Sequence, residues 1–256
     1  MIKNHYSFSR ICSIIFGIFI IIAALYYAYN EYWPHQCVSK EMSKEEFNSY
    51  KISENKALAL YQLMSDVHEI LEKHKITYWI HSGTLLGAVR HSGLIPFDDD
   101  LDISMLHEDE IKLQDALEEL RVYGYQIRHS KIYAVCKKLS CLDNACIDIF
   151  ITHNYNDKIL YTNLEIRKKF PNDYFFKDEI FPLKKYKFGE LELYGPNNAN
   201  NALDRQYPEW NKYIIIQQHH TYSSWISKKV KKTKFIISHE LSQPAMPIGP
   251  LLKEIK

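Results

Sequence analysis

Four aspartates crowd into five residues of this chain, Asp98, Asp99, Asp100 and Asp102, and apolar residues hem them in: Ile95, Pro96 and Phe97 before, Leu101 and Ile103 among and after them. A strand sends alternate side chains to opposite faces. Leu101 to Met105 therefore reads as a strand, with Asp100 and Asp102 projecting together while Leu101 and Ile103 enter a core. Two carboxylates side by side repel each other unless a cation lies between them, and an all-oxygen pair suits Mg²⁺ or Mn²⁺. An isolated Asp run is more often a solvated acidic turn. The apolar flanks, and what precedes this run, favour a metal site. No EF-hand spacing accompanies it, which sets a calcium loop aside.

What precedes the run is rich in glycine. Three of the chain's eight glycines, Gly83, Gly87 and Gly93, lie between His81 and Met105. Thr77–Ile80 has strand character and residues 84–91 suit a short helix, so Gly83-Thr84 sits at a strand-to-helix junction. Backbone N–H groups at such a junction attract phosphate, and glycine lets a ligand come close. A plain turn is the competing reading. Arg90 could meet a phosphate with both guanidinium arms or be a surface arginine. A well-held metal needs a third carboxylate. Asp148 is the best candidate, because a charge alternating with apolar residues in Cys146-Ile147-Asp148-Ile149-Phe150 is costly unless used or paired. Asp143 lies in a turn and is the poorer choice.

Residues 11–29 are nineteen residues without a charge. As a helix they span about 28 Å, close to the hydrocarbon thickness of a bilayer. Tyr26, Tyr27, Tyr29, Tyr32 and Trp33 cluster at one end, suiting the headgroup region. A cleaved signal peptide has a shorter apolar core and a small-residue cleavage site, so the run reads as an uncleaved signal-anchor. The basic tail 1–10 is expected in the cytoplasm, with the rest of the chain outside or in a lumen, as a single-pass type II protein. Residues 30–42 read as a stem, 43–227 as the folded domain and 228–256 as a Lys/Pro-rich tail. Lys+Arg total 32 against 31 Asp+Glu, so there is no basic field for nucleic acid. Cys136, Cys141 and Cys146 are spaced by fives without a fourth zinc ligand at a familiar spacing. They read as a buried cysteine or two with one disulfide. Cys37 could link two chains into a homodimer.

Within the domain, helical spacing runs to about Lys75 from a start near Ser53–Lys56, and an acidic helix covers 108–122. Strands are expected at Tyr125–Ile127, Ile132–Leu139 and Ile147–Thr152, with a hairpin at Tyr186–Tyr194 turning on Gly189-Glu190. Residues 196–212 look helical. The fold class is α/β (α+β): a mixed sheet flanked by helices.

The stretch Gly83-Thr84-Leu85-Leu86-Gly87-Ala88-Val89-Arg90-His91, followed by Gly93-Leu94-Ile95-Pro96-Phe97-Asp98-Asp99-Asp100-Leu101-Asp102-Ile103, resembles the signature of the LicD/fukutin family. Asp148-Ile149-Phe150 resembles that family's downstream acidic strand, and Phe181-Pro182-Leu183, Phe188-Gly189 and Ala202–Tyr207 its C-terminal part. The resemblance covers roughly residues 60–212. It implies a nucleotidyltransferase-like core, and transfer of phosphocholine or ribitol phosphate from a CDP-activated donor to a glycan. It implies that Asp100, Asp102 and Asp148 bind metal and that Gly83 and Thr84 approach the donor phosphates. It implies a Golgi location in a eukaryote and the plasma membrane in a bacterium. No zinc-binding insertion or accessory stem domain of the larger relatives is visible. Asp98 or Asp99 could accept the acceptor's proton, or could fix the loop through backbone hydrogen bonds. Competing readings are a catalytically inactive relative that partners another glycan-modifying enzyme, and a tethered divalent-ion or adhesion module.

Overall fold

A computed structural model describes residues 14–24, 39–40, 42–140, 143–217, 232–239 and 241–245. The chain divides into two compact units, residues 1–38 and 39–256. Of the first unit, residues 14–24 form helix α1, with Ile14, Ile15, Phe16 and Phe19 exposed. The remainder of the apolar run, 11–13 and 25–29, lies outside the described residues, as do Cys37 and Cys141. Among the described residues no helix is long and apolar enough to cross a membrane.

The second unit is built on one mixed sheet. In chain order its elements are β1 (Ser39–Lys40), α2 (Lys44–Tyr50), α3 (Glu54–Lys73), β2 (Tyr78–Ile80), α4 (Ser82–His91), β3 (Asp100–Leu106), α5 (Glu110–Val122), β4 (Gln126–His129), β5 (Tyr133–Lys138) and β6 (Asn144–Tyr155). They continue with β7 (Lys158–Tyr161), α6 (Leu164–Lys169), β8 (Phe175–Phe176), α7 (Lys177–Ile180), β9 (Lys184–Phe188), β10 (Leu191–Gly195), α8 (Ala199–Gln206), β11 (Tyr213–Gln217) and β12 (Lys232–Ile236). The sheet runs β2-β3-β6-β5-β4, and β6 extends at its far end to pair with β7, which pairs with β8. Only β3–β6 is parallel in it.

Alternation assigns the two faces. Leu101, Ile103, Met105, Ile147, Ile149 and Val135 are buried, and share one core with Leu60, Leu63, Met64, Val67 and Leu71 of α3 and Leu113, Leu117 and Leu120 of α5. α3 forms because those apolar residues recur at helical spacing behind a Ser53 cap, whose hydroxyl accepts from Lys56 N at 3.2 Å. It ends at Lys73, two residues earlier than its periodicity suggests, where Lys75 takes a φ of 56° and Ile76 N turns back to Leu71 O at 2.9 Å. The β9–β10 hairpin turns on Gly189, at φ 64°, and a Cβ there would collide with the Tyr61 ring.

Two expectations change. The helix expected over 196–212 covers only Ala199–Gln206, because Tyr207 leaves helical geometry with φ at −131° and the chain turns twice before β11. Lys232–Ile236, expected in the polar tail, is a strand between β1 and β11. Phe235 explains this: it is buried with Phe47, Ile214, Ile216 and Leu241 in a second apolar cluster. Cys136 and Cys146 face each other in register across β5 and β6 and form a disulfide, so two of the three thiols weighed for zinc are used.

Tyr61 carries the contact between α3 and the loop after α4. Its buried hydroxyl accepts from Leu94 N at 2.8 Å. Tyr61→Phe leaves that N–H without a partner and is expected to lower unfolding stability by about 1–3 kcal/mol in urea titration.

Candidate active site

The parallel β3–β6 register sets Asp102 directly opposite Asp148, with Asp100 opposite Cys146. Residues two apart, and residues paired across strands, share a face. Asp100, Asp102 and Asp148 therefore lie on the face turned away from α3, although the acids whose oxygens come within 4.8 Å of one another are Asp98, Asp99 and Asp100, not this set. The opening of α4 is stitched above them. His81 N donates to Asp102 O at 3.0 Å, and Asp102 N donates to the Thr84 hydroxyl at 2.7 Å. Gly83 lies in this first turn. A Cβ there would collide with Asp98 Oδ2 and lie 3.8 Å from Asp102 Oδ2. Glycine permits this approach of helix to carboxylates; a Cβ would force the Asp98 side chain to shift.

The acidic run packs tightly. Asp98, Asp99 and Asp100 offer carboxylate oxygens within 4.8 Å of one another. Asp99 also has the Lys56 ammonium 3.7 Å away, and Lys56 in turn donates to Asp143 at 2.8 Å and to Asn144 O at 2.6 Å. The buried Lys56 thus ties the N-terminus of α3 to the acidic loop and to the start of β6.

The electrostatics follow from crowding. Burial, then Asp100, Asp98, Asp148 and Asp173, push Asp102 well above the usual carboxylate range. Burial, Asp100 and Asp99 raise Asp98, opposed by Arg90. Burial and Asp100 raise Asp148 to about 6, opposed by Arg128. At these three acids burial and acidic neighbours outweigh the arginine charges that reach Asp98 and Asp148. Their donors are all carboxylate oxygens, which fits a hard divalent cation such as Mg²⁺ or Mn²⁺.

Gly83, Thr84 and Arg90 all lie beside this cluster, but their roles divide. The Thr84 hydroxyl is engaged by Asp102 N. Arg90 is largely buried; its Nε donates to His91 Nε2 at 2.9 Å and an Nη donates to Trp210 O at 3.1 Å. Burial lowers it to about 10, opposed by Asp98 and Tyr207. Arg90 therefore anchors the chain after α8 to α4 through Nε and one Nη, while its second Nη has no hydrogen bond among the described residues.

Sequence reasoning missed a second network beneath the carboxylates. The buried His81 ring meets Asp173 Oδ1 at 2.6 Å and Ser104 Oγ at 2.5 Å. Tyr161 OH and Gln206 Nε2 also donate to Asp173, the latter at 2.6 Å. Burial alone would raise Asp173, but His81 and these hydrogen bonds hold it below the usual range. Asp173 stands in Pro171-Asn172-Asp173, which reads as an ordinary polar turn. His81, directly before the glycine turn, was the one signal available.

A family model described as LicD/FKTN/FKRP, nucleotidyltransferase domain, matches residues 75–198. The chain is 50% identical over 240 residues to the uncharacterized protein RP689 of Rickettsia prowazekii, covering 93% of this chain and 87% of that one. A shorter stretch of 53 residues is 45% identical to the lipopolysaccharide cholinephosphotransferase LicD of Haemophilus influenzae, covering 21% of this chain and 20% of that protein. Another of 51 residues is 41% identical to the human ribitol 5-phosphate transferase FKRP, covering 20% and 10%. Among solved structures, the lincosamide adenylyltransferase LnuA aligns over 57% of this chain and 82% of its own at 16% identity, with a TM-score of 0.36.

The crowded acids make stability depend on pH. A carboxyl whose folded pKa is raised binds its proton more tightly in the native state than in the unfolded chain, so stability falls as pH rises. For Asp148 the loss runs from its ordinary 3.8 to about 6, and Asp98 and Asp102 extend it upward. The melting temperature of metal-free protein is expected to drop between pH 5 and pH 8, and Mg²⁺ is expected to restore it at pH 8. Asp98→Asn should flatten the slope. A metal-free melting temperature that stays level or climbs over that range contradicts the crowding.

Proposed function

The chain belongs to the LicD/FKTN/FKRP family, and on that premise we propose that it is a membrane-anchored, metal-dependent phosphotransferase that moves a phospho-alcohol from a CDP-activated donor to a glycan hydroxyl. One observation carries the reading: Asp100, Asp102 and Asp148 share one sheet face beneath the Gly83 turn. Asp100, Asp102 and Asp148 would hold Mg²⁺ or Mn²⁺. When bound, the cation neutralises charge on the donor diphosphate. Gly83 puts no side chain on the first turn of α4, so a diphosphate that displaces the Asp98 carboxylate resting there would reach the N–H groups of α4.

The acceptor hydroxyl attacks the phosphorus that bears the alcohol. The new P–O bond forms as the bond to the CMP oxygen breaks, and CMP leaves. The hydroxyl proton needs a carboxylate with high proton affinity. Asp98 suits this, since burial and its acidic neighbours raise it. Asp99 is drawn to Lys56 and suits loop fixing. The transferred group is phosphocholine or ribitol phosphate, the two alternatives suggested by the names of the relatives. The apolar run 11–29 would anchor the chain. The Cys136–Cys146 disulfide supports an oxidising side of the membrane. A near full-length bacterial relative favours a plasma membrane over the Golgi.

The test is turnover of CDP-choline and CDP-ribitol with Mg²⁺. Asp102→Asn is expected to cut the rate by about 100-fold or more without lowering the melting temperature at pH 8. Full activity in Asp102→Asn would sink the assignment. Metal-dependent binding of CDP without turnover across acceptors would favour the inactive relative.

A further inference from the structure

The carboxylates do not fill their sheet face. Across the strands one continuous register runs Asp102, Asp148, Ala134, Arg128: Asp102 opposite Asp148 on β3–β6, Asp148 opposite Ala134 on β6–β5, and Ala134 opposite Arg128 on β5–β4. Paired residues point to the same face. Beyond Asp148 the floor is therefore a methyl group, and Ala134 is only half-buried. In the next row the floor is Cys146, also half-buried, bonded to Cys136, which is buried. Among the described residues, neither of these rows places a large side chain of β5 on this face between Asp148 and the edge strand.

At the shelf's end is Arg128, which is exposed. Two strand spacings, about 10 Å, separate its backbone from that of Asp148, and an arginine stem covers most of that distance. Its charge acts on Asp148, opposing burial and Asp100. Its backbone pairs with β5, but among the described residues no hydrogen bond or ion pair within 4 Å engages the Arg128 side chain. Its charge thus faces an acidic site across an open shelf with its donors unspent. The other arginine at the site, Arg90, engages His91 through Nε and Trp210 through one Nη.

We propose that Arg128 is a substrate-binding residue that grips a phosphate lying over Ala134, on the side of the carboxylates opposite the Gly83 turn. This rests on the phosphotransferase reading and deepens it. A ligand that starts at α4 and crosses Asp102 and Asp148 places its far anionic group on this shelf. Guanidinium is suited to the task, because its fork meets two phosphate oxygens at once. The phosphate has two possible sources, the donor diphosphate or an anionic acceptor.

The experiment uses the full chain with Mg²⁺ and compares wild type, Arg128→Ala, Arg128→Lys and the control Arg121→Ala, an exposed arginine on α5 paired with Glu118. Affinities for CDP, CMP and inorganic phosphate are measured by calorimetry, the phosphate being titrated into CDP-saturated protein. If the donor supplies the phosphate, Arg128→Ala weakens CDP about tenfold and CMP less, Arg128→Lys recovers part of the loss, and Arg121→Ala matches wild type. If the acceptor supplies it, CDP binding is unchanged and Arg128→Ala abolishes phosphate binding to the CDP complex. Wild-type affinities for all probes in Arg128→Ala overturn the proposal and leave the phosphotransferase reading standing. Wild type that binds CDP neither with nor without Mg²⁺ overturns both.

Discussion

The parallel pairing of β3 with β6 is the constraint on which the rest of the site depends. A slip of one residue would send every side chain of a strand to the opposite face. A slip of β3 would send Asp100 and Asp102 into the core and turn Leu101 and Ile103 out, and a slip of β6 would do the same to Asp148 and to Ile147 and Ile149. The burial of those four apolar residues beside α3 and α5 therefore holds the register that assembles the acids. Stability and chemistry share one alternating pattern on two strands distant in sequence.

The same face shows two ways of keeping carboxylates away from bulk water. Asp173 is satisfied internally, by His81, Tyr161 and Gln206, and its proton affinity is lowered. Asp98, Asp102 and Asp148 are raised by burial first and by neighbouring acids second. The first arrangement is complete without a ligand. The second would gain most from a cation, which is why the proposed metal is placed at β3 and β6 and the His81–Asp173 pair in the frame.

Much of this was legible in the sequence. The alternation through Leu101–Met105 and Cys146–Phe150 identified both strands and the face each acid would take. The glycine turn before α4 was legible too, although its reason was not: the Gly83 approach to Asp98 is a contact across the loop that no local pattern displays. Long-range partners stayed hidden for the same reason. Lys56 and Asp143 are 87 residues apart, and His81 and Asp173 are 92 apart. Arg90 looked free because its partners, the carbonyls of Trp210 and Tyr213, belong to backbone far along the chain. β12 was lost in a Lys-rich segment, since Phe235 alone carries its burial.

The central claim is that the acids of β3 and β6 jointly hold one divalent cation. Anomalous diffraction from crystals grown with Mn²⁺ tests it most directly. The account expects a peak bounded by Asp100, Asp102 and Asp148, below the Gly83 turn. A peak held by Asp98, Asp99 and Asp100 alone, remote from Asp148, would contradict it, as would an ordered site without any peak.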